Sequence, residues 1–253
     1  MTLKFIRDTI VLNVCHLTDD FCIGSYLQKD YWSDDDYPDD RYTAFILEIK
    51  NCHQESIQEA IKLFSDCLSG FDAVAVVPSH HVNGQLSGIR QIALGLAHRS
   101  QKQDATACLR RHRPIHKLSE DGERSIGVHL QSIELDHANL IKGKRVLLLD
   151  DVRSTGHSLA ACQQILKAAK PKSVHPLALG QSYGPSGSDP EKNYCHVDIA
   201  IQDEYQQQID ACDSPGTDDE AAIEAHLERV ENIEIAADLE RKTLDQLRLF
   251  AGV

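Results

Sequence analysis

Val146–Ser158 reads VLLLDDVRSTGHS, and this stretch decides the fold. Lys144–Leu149 has a basic start and then four apolar residues, the pattern of a parallel strand buried on both faces. The strand delivers two adjacent carboxylates, Asp150 and Asp151, to its carboxyl end. The turn Asp150–His157 then enters a helix over Ser158–Ala169, whose apolar positions are Leu159, Ala161 or Cys162, Ile165, Leu166 and Ala169. A helix N-terminus offers unpaired backbone N–H groups and a partial positive charge. Gly156 allows close backbone approach, and Ser154, Thr155 and Ser158 add hydroxyl donors, so the turn reads as a nest for an anion. The plainer alternative is a polar βα turn with Ser158 as helix N-cap. No GKS or GKT follows, and no GxGxxG follows a strand, which excludes P-loop and dinucleotide-fold readings.

Working outward, Ser173–Leu179 is a second strand, and strand, turn, helix and strand form a βαβ unit of a parallel sheet. Upstream, Phe71–Val77 (FDAVAVV) is a buried strand ended by Pro78. Glu55–Leu68 carries Ile57, Ala60, Ile61, Phe64, Cys67 and Leu68 at helical spacing, closed by Gly70, and Ser87–Ser100 is also helical. Tyr42–Lys50 is apolar-rich and reads as a strand or the start of a helix. Asp30–Asp40 is an acidic surface loop, and Arg110–Gly127 is expected to be a long mobile loop. Gly184–Asn193 reads as a loop and His196–Ile201 as a last strand. Asp213–Asp219 is a linker or helix start. One or two amphipathic helices follow over 220–250, with Val230–Ile235 as an alternative short strand.

The 253 residues suit one α/β domain with an appendage, and an apolar fraction of 42% is enough for a core. No apolar run approaches the ~18–20 residues of a membrane span. The N-terminus lacks a secretory cleavage pattern, so a cytoplasmic protein without membrane association is expected. The eight scattered cysteines, with no CxxC pair, read as reduced thiols. Cys15, Cys22, Cys52 and His53 form an irregular zinc pattern, and buried free cysteines are the commoner explanation, so zinc is not expected. Net charge is −13, of which residues 203–253 carry −10 from 14 acidic and four basic residues. Ala105–Ser119 has no acid and carries Arg110, Arg111, Arg113 and Lys117, so a nucleic acid would bind only through Arg110–Lys117.

The stretch VLLLDDVRSTGHS resembles the phosphoribosyl pyrophosphate (PRPP) motif of type I phosphoribosyltransferases: four apolar residues, two acids and a Ser-Thr-Gly-x-Ser loop. The order of elements over Tyr42–Leu179 is similar to the ComF-type (competence-associated) branch, with Lys50 ending an apolar segment, Val77–Pro78 ending a strand, and a polar loop before the motif. That branch's N-terminal zinc ribbon is missing here, and the acidic C-terminus has no counterpart in it. The resemblance implies a parallel sheet flanked by helices. It suggests an N-terminal segment over 1–41, a phosphoribosyltransferase-like domain over 42–202 and an acidic, mostly helical extension over 203–253.

By the same resemblance, Asp150 and Asp151 contact the ribose hydroxyls, directly or through Mg²⁺ and water. Arg153, Ser154, Thr155, Gly156, His157 and Ser158 hold the 5-phosphate. Pro78, Ser79 and His80 lie where the pyrophosphate loop would be, with a polar surface turn or a metal site at His80–His81 as alternatives. Arg110, Arg111 and Arg113 are placed like the flexible catalytic loop, with a solvated loop as the alternative, and Arg90 is a further pyrophosphate candidate. The implied reaction transfers phosphoribosyl from PRPP to a nitrogen acceptor. Against it stands a non-catalytic subunit or sensor of PRPP or a nucleotide, as in some retron-type bacterial defence assemblies. That reading uses the acidic extension to dock a protein partner within an oligomer or complex.

Overall fold

The computed structural model describes residues 12–17, 21–26, 41–79, 86–115, 125–182, 190–212 and 220–251. The expected surface loop Asp30–Asp40, the linker Asp213–Asp219, and His80, His81, His116 and Lys117 lie outside the described residues. In chain order the elements are β1 (Leu12–Asn13), β2 (Cys22–Tyr26), α1 (Arg41–Lys50), α2 (Gln54–Cys67), β3 (Leu68–Ser69) and β4 (Ala73–Val76). Then come α3 (Gly88–Arg99), β5 (Gln103–Asp104), β6 (Leu109–Arg111), α4 (Ile126–Ser132), β7 (Ile133–Leu135) and β8 (Arg145–Arg153). The chain continues with α5 (His157–Lys167), β9 (Ser173–Ser182), α6 (Pro190–Asp210) and α7 (Glu220–Ala251).

The apolar run Val146–Leu149 forms the middle of a five-stranded sheet of order β2-β9-β8-β4-β5, parallel throughout. Alternation along β8 sends its side chains to two different cores. Leu147 and Leu149 join a cluster with α1, α2, α3, α6 and α7, while Val146 and Leu148 join a cluster with α5, β6 and β7. Helices on both faces are what a strand without polar alternation requires. In α5 the stripe Leu159, Cys162 and Leu166 faces the second cluster.

Of the two readings of Tyr42–Lys50 the helix is the one formed, and burial of Tyr42, Ile46 and Ile49 at i, i+4 and i+7 explains why. Other elements differ from the sequence reading. Of the expected loop Arg110–Gly127, Arg110 and Arg111 lie instead in β6, antiparallel to β7, and Ile126 and Gly127 lie in α4, while residues 116–124 are outside the described residues. Residues 190–193, read as loop, and His196–Ile201, read as a strand, lie in α6. Val197 and Ile201 are both fully buried, with Tyr205 packed against the same core, an i, i+4, i+8 stripe that overrides the loose alternation. The amphipathic helix read over 220–250 forms as a single α7, and the alternative strand at Val230–Ile235 is helical within it. The N-terminal segment supplies β2, which pairs with β9 at the sheet edge.

The C-terminal helices share this core. Leu244, Leu247 and Ala251 of α7 pack in one cluster with Val197 and Ile201. A buried polar node pins them to the N-terminal residues. His16 Nδ1 lies 2.7 Å from Glu240 Oε1, and its Nε2 lies 2.6 Å from Glu204 Oε2. Glu240 also accepts from the Asn13 N–H at 2.5 Å and from the Tyr205 hydroxyl at 2.9 Å. A carboxylate only accepts, so an imidazole between two of them is satisfied when both ring nitrogens carry protons.

Burial alone would lower the His16 pKa, but the hydrogen bond and charge of Glu240, then those of Glu204, raise it above the ordinary 6.5. Glu240 is opposed by burial, yet its bonds from His16 and Asn13 hold it below the ordinary 4.5. A raised histidine stabilises the fold fully below its unfolded pKa and loses that contribution as pH rises through the folded value. A depressed glutamate contributes above its unfolded pKa and loses it as pH falls through the folded value. The node is therefore expected to be strongest between about pH 4.5 and 6.5. Urea midpoints measured from pH 5.5 to 9 should fall on the alkaline side in the wild type, and that slope should flatten in His16→Asn. Parallel pH profiles in the two proteins would contradict the assignment.

Candidate functional site

The site sits at the carboxyl ends of β4 and β8. Parallel α/β sheets bind ligands there, because helix N-termini and loops converge at that edge. Asp150 and Asp151 are successive strand residues, so their side chains leave on opposite faces. Asp150 points to the α5 side, is 7% exposed, and accepts from the Ser158 hydroxyl at 3.2 Å and from the Asp151 N–H at 3.0 Å. Burial first, and the neighbouring Asp151 charge second, hold its carboxyl well above the ordinary carboxylate range. Asp151 points to the α1 side and pairs with Lys50 Nζ at 2.9 Å.

Lys50 ends α1, and only the tertiary structure brings it to Asp151. It lies 5.5 Å from the centre of the Tyr26 ring. Burial would lower its pKa, but the Asp151 charge and hydrogen bond outweigh this and raise it. The close approach of α3 fixes the end of α1 here. A Cβ on Gly88, the first residue of α3, would collide with the Ile49 carbonyl next to Lys50.

Strand β8 runs through Arg153, so the turn is Ser154–Gly156 and helix α5 starts at His157. Gly156, not Ser158, occupies the N-cap position, with φ +76° in the left-handed region that disfavours any Cβ. Ser158 spends its hydroxyl on Asp150. Ser154 and Thr155 are exposed, and the Arg153 guanidinium lies over the turn, with Nε 2.8 Å from where a Gly156 Cβ would be. Gln181, buried on β9, donates to the Ser154 carbonyl at 3.2 Å and accepts from the Cys22 thiol at 3.6 Å. Sequence reading missed this support, because a glutamine in an apolar strand has no signal until its register beside Arg153 is known.

The three arginines of the expected catalytic loop have different fates. Arg110 is half exposed on β6 and pairs with Asp136 at 2.7 Å and with Glu134. Arg111 is 4% exposed and donates to Ser79 O at 2.7 Å, Ser132 Oγ at 2.7 Å and Pro78 O at 3.4 Å. Arg113 is exposed beyond β6. Pro78 and Ser79 follow β4 and face this hood of β6, β7 and α4, while His80 lies outside the described residues. Arg90 on α3 has a buried Nε with no hydrogen-bond partner, and the same holds for Nδ1 of His129 and His157. Burial, then the nearby Arg111 and His157, lowers the His129 pKa.

The cysteines expected as free thiols are free wherever described. Cys15 faces His175, Cys22 faces Gln181, Cys52 faces the Leu86 carbonyl and His53 faces Ser56, so the structure does not bring these four together. Among the described residues, no group of three or more His, Cys, Asp or Glu is arranged to hold a metal ion, and no helix is long and apolar enough to cross a membrane.

Fold and site together define an α/β domain with a glycine-capped turn and two adjacent carboxylates at the carboxyl end of its central strand. The family model of the phosphoribosyl transferase domain matches residues 105–213, from the hood through the turn into α6. Over those residues the chain is similar to a phosphoribosyl transferase domain, and they include the central strand β8 of the parallel sheet and the turn that follows it. Among solved structures it is similar to one titled "Structure of the allosteric regulatory enzyme of purine biosynthesis", at 19% identity and a TM-score of 0.35, covering 49% of this chain. The chain spans 25% of that enzyme's length. Comparison with curated proteins returns no match.

Proposed function

We propose that the chain binds PRPP, or a ribose 5-phosphate or nucleotide, at the Asp150–Ser158 loop and transfers phosphoribosyl to a nitrogen acceptor with release of pyrophosphate. The observation that carries this reading is the convergence at one sheet edge of the Gly156 turn, the Asp150–Asp151 pair and the Pro78–Ser79 loop. The turn and the N-terminus of α5 suit the 5-phosphate. The carboxylates suit the ribose hydroxyls, and the ion pair with Lys50 at 2.9 Å holds Asp151 in place. As the bond from C1 to pyrophosphate lengthens, the ribose becomes oxocarbenium-like, and a nitrogen nucleophile attacks from the opposite face. No covalent protein nucleophile is needed, so positioning and charge do the work.

Asp150 and Asp151 leave β8 on opposite faces, so they would hold Mg²⁺ mainly through water, which suits a hard cation that takes few protein carboxylates and completes its shell with phosphate oxygens and water. When bound it would neutralise the diphosphate. Calorimetric titration is expected to show PRPP binding strengthened about tenfold or more by Mg²⁺, and ribose 5-phosphate binding changed little, since the diphosphate recruits the metal. A screen of nitrogen acceptors should then release pyrophosphate. Binding without turnover for any acceptor would favour the second reading, a sensor or subunit. That reading draws on α7, where Ile223, Leu227 and Ile235 stand exposed on an acidic helix suited to a protein partner.

A further inference from the structure

The C-terminal helix α7 is held by the core along only part of its length. Glu240, Leu244, Leu247 and Ala251 are buried, whereas every residue from Ala221 to Leu239 is half-buried or exposed. In that first part, His226, Val230, Ile233 and Ala237 are half-buried and continue the line of Glu240 and Leu244, the side turned to the rest of the molecule. On another side, positions 223, 227, 231, 235 and 239 recur every four residues and form a single ridge along the helix. Four of the five are large apolar residues, Ile223, Leu227, Ile235 and Leu239, each between 38% and 60% exposed. Exposed apolar residues scattered singly are ordinary, but a row of them along one ridge is the pattern by which helices interlock.

The charges around the ridge identify what fits it. Glu231 lies within the ridge, Glu224 and Glu228 flank it on one side, and Glu234 and Asp238 flank it on the other, all exposed. Against these five acids, Arg229 is the one basic residue between Ala221 and Leu239. Among the described residues, Asp238 alone of the five is ion-paired, with Lys242 at 3.4 Å. A second copy of this chain laid on the ridge would bring like charges together, and a nucleic acid would be repelled. Helices that lie on lipid carry Lys and Arg around their apolar face, the opposite of the pattern here. A helix with an apolar ridge of its own and Lys or Arg beside it matches both the apolar row and the carboxylates. We infer that the exposed ridge of α7 is a docking surface for a basic amphipathic helix of a protein partner. The apolar row supplies affinity, and the flanking carboxylates select the partner's charge and orientation. The inference rests on α7 alone and is independent of what binds at the Asp150–Ser158 loop.

The test titrates the full chain, by fluorescence anisotropy, against a labelled peptide of about 18 residues, long enough to hold a helix, with Leu at i, i+4 spacing and Lys elsewhere. One control peptide has the same residues in an order that breaks the apolar stripe, and another has Glu in place of Lys. The striped Lys peptide is expected to bind about tenfold or more tighter than the scrambled one, and the Glu peptide not to bind. Replacing Ile223 and Leu227 together with Ser should weaken binding about tenfold. Glu228→Lys with Glu234→Lys should weaken it by a similar factor and remove most of its dependence on salt. All four positions are exposed, so thermal unfolding and ribose 5-phosphate affinity should stay close to wild type in both variants. Equal binding of the striped and scrambled peptides would leave only general charge attraction, and unchanged affinity in the Ser variant would put the peptide elsewhere. Either result overturns the inference, as does no binding of the striped peptide. Sedimentation of the protein alone tests the other occupant: a dimer that the Ser variant dissolves would give the ridge to a second copy and overturn it as well. Failure of the wild type to bind ribose 5-phosphate is a different result, which removes the proposed ligand site and leaves the docking surface standing.

Discussion

Gly156→Val is expected to abolish ribose 5-phosphate and PRPP binding, by about a hundredfold or more, while the protein stays folded. The argument starts from the backbone. Gly156 holds φ +76° as the residue that caps α5, and a β-branched residue is a genuine outlier there. The strain is about 1–2 kcal/mol if the turn keeps its shape. Arg153 Nε would lie 2.8 Å from the new Cβ, but a guanidinium on a flexible stem can swing aside, so the backbone sets the cost. If the turn relaxes to negative φ, the first N–H groups of α5 no longer converge, and the anion nest is lost. The fold survives because the core stripe Leu159, Cys162 and Leu166 is untouched. Calorimetry reads the binding, and circular dichroism with thermal unfolding reads the fold. A folded variant with unchanged affinity would sink the central claim about this turn.

The largest stability effect is expected at Leu247, far from the site. Its side chain is fully buried in the cluster that joins α7 to Val197, Ile201 and the sheet. Leu247→Ala should cost about 2–5 kcal/mol, from lost transfer energy and the cavity left behind. For a chain of this size that lowers the melting temperature by about 2–4 °C per kcal/mol. A single urea transition with a lower midpoint and the same slope is expected if α7 unfolds with the sheet. An early separate transition, leaving phosphate binding intact, would show instead that residues 203–253 behave as an independent appendage. Replacement of exposed Leu227, on the same helix, should change stability by less than about 0.5 kcal/mol.

The sequence by itself determined the centre of this protein. Four apolar residues without alternation demand a strand covered on both faces, and β8 is that strand. Two acids at its end, a glycine and a helical stripe follow in one continuous segment. Their geometry is local, since strand period, turn and helix start are set by neighbours in sequence. What sequence reading placed less well was short or ambiguous in period. The six residues His196–Ile201 alternate loosely, and only the burial of Val197 and Ile201 against the sheet makes them helical.

The tertiary structure alone decided which distant residues serve the site. Lys50 reaches Asp151 across 101 positions because α3 lets the end of α1 come close at Gly88. Gln181 supports the turn because β9 registers Gln181 against Arg153. Arg110 and Arg111 are adjacent and chemically identical, yet the pleat of β6 sends one outward to Glu134 and Asp136 and the other inward to Pro78 and Ser79. A strand's alternation fixes that they differ. Which one faces inward depends on register with β7 and on what the sheet packs against, and no local pattern in the chain specifies either.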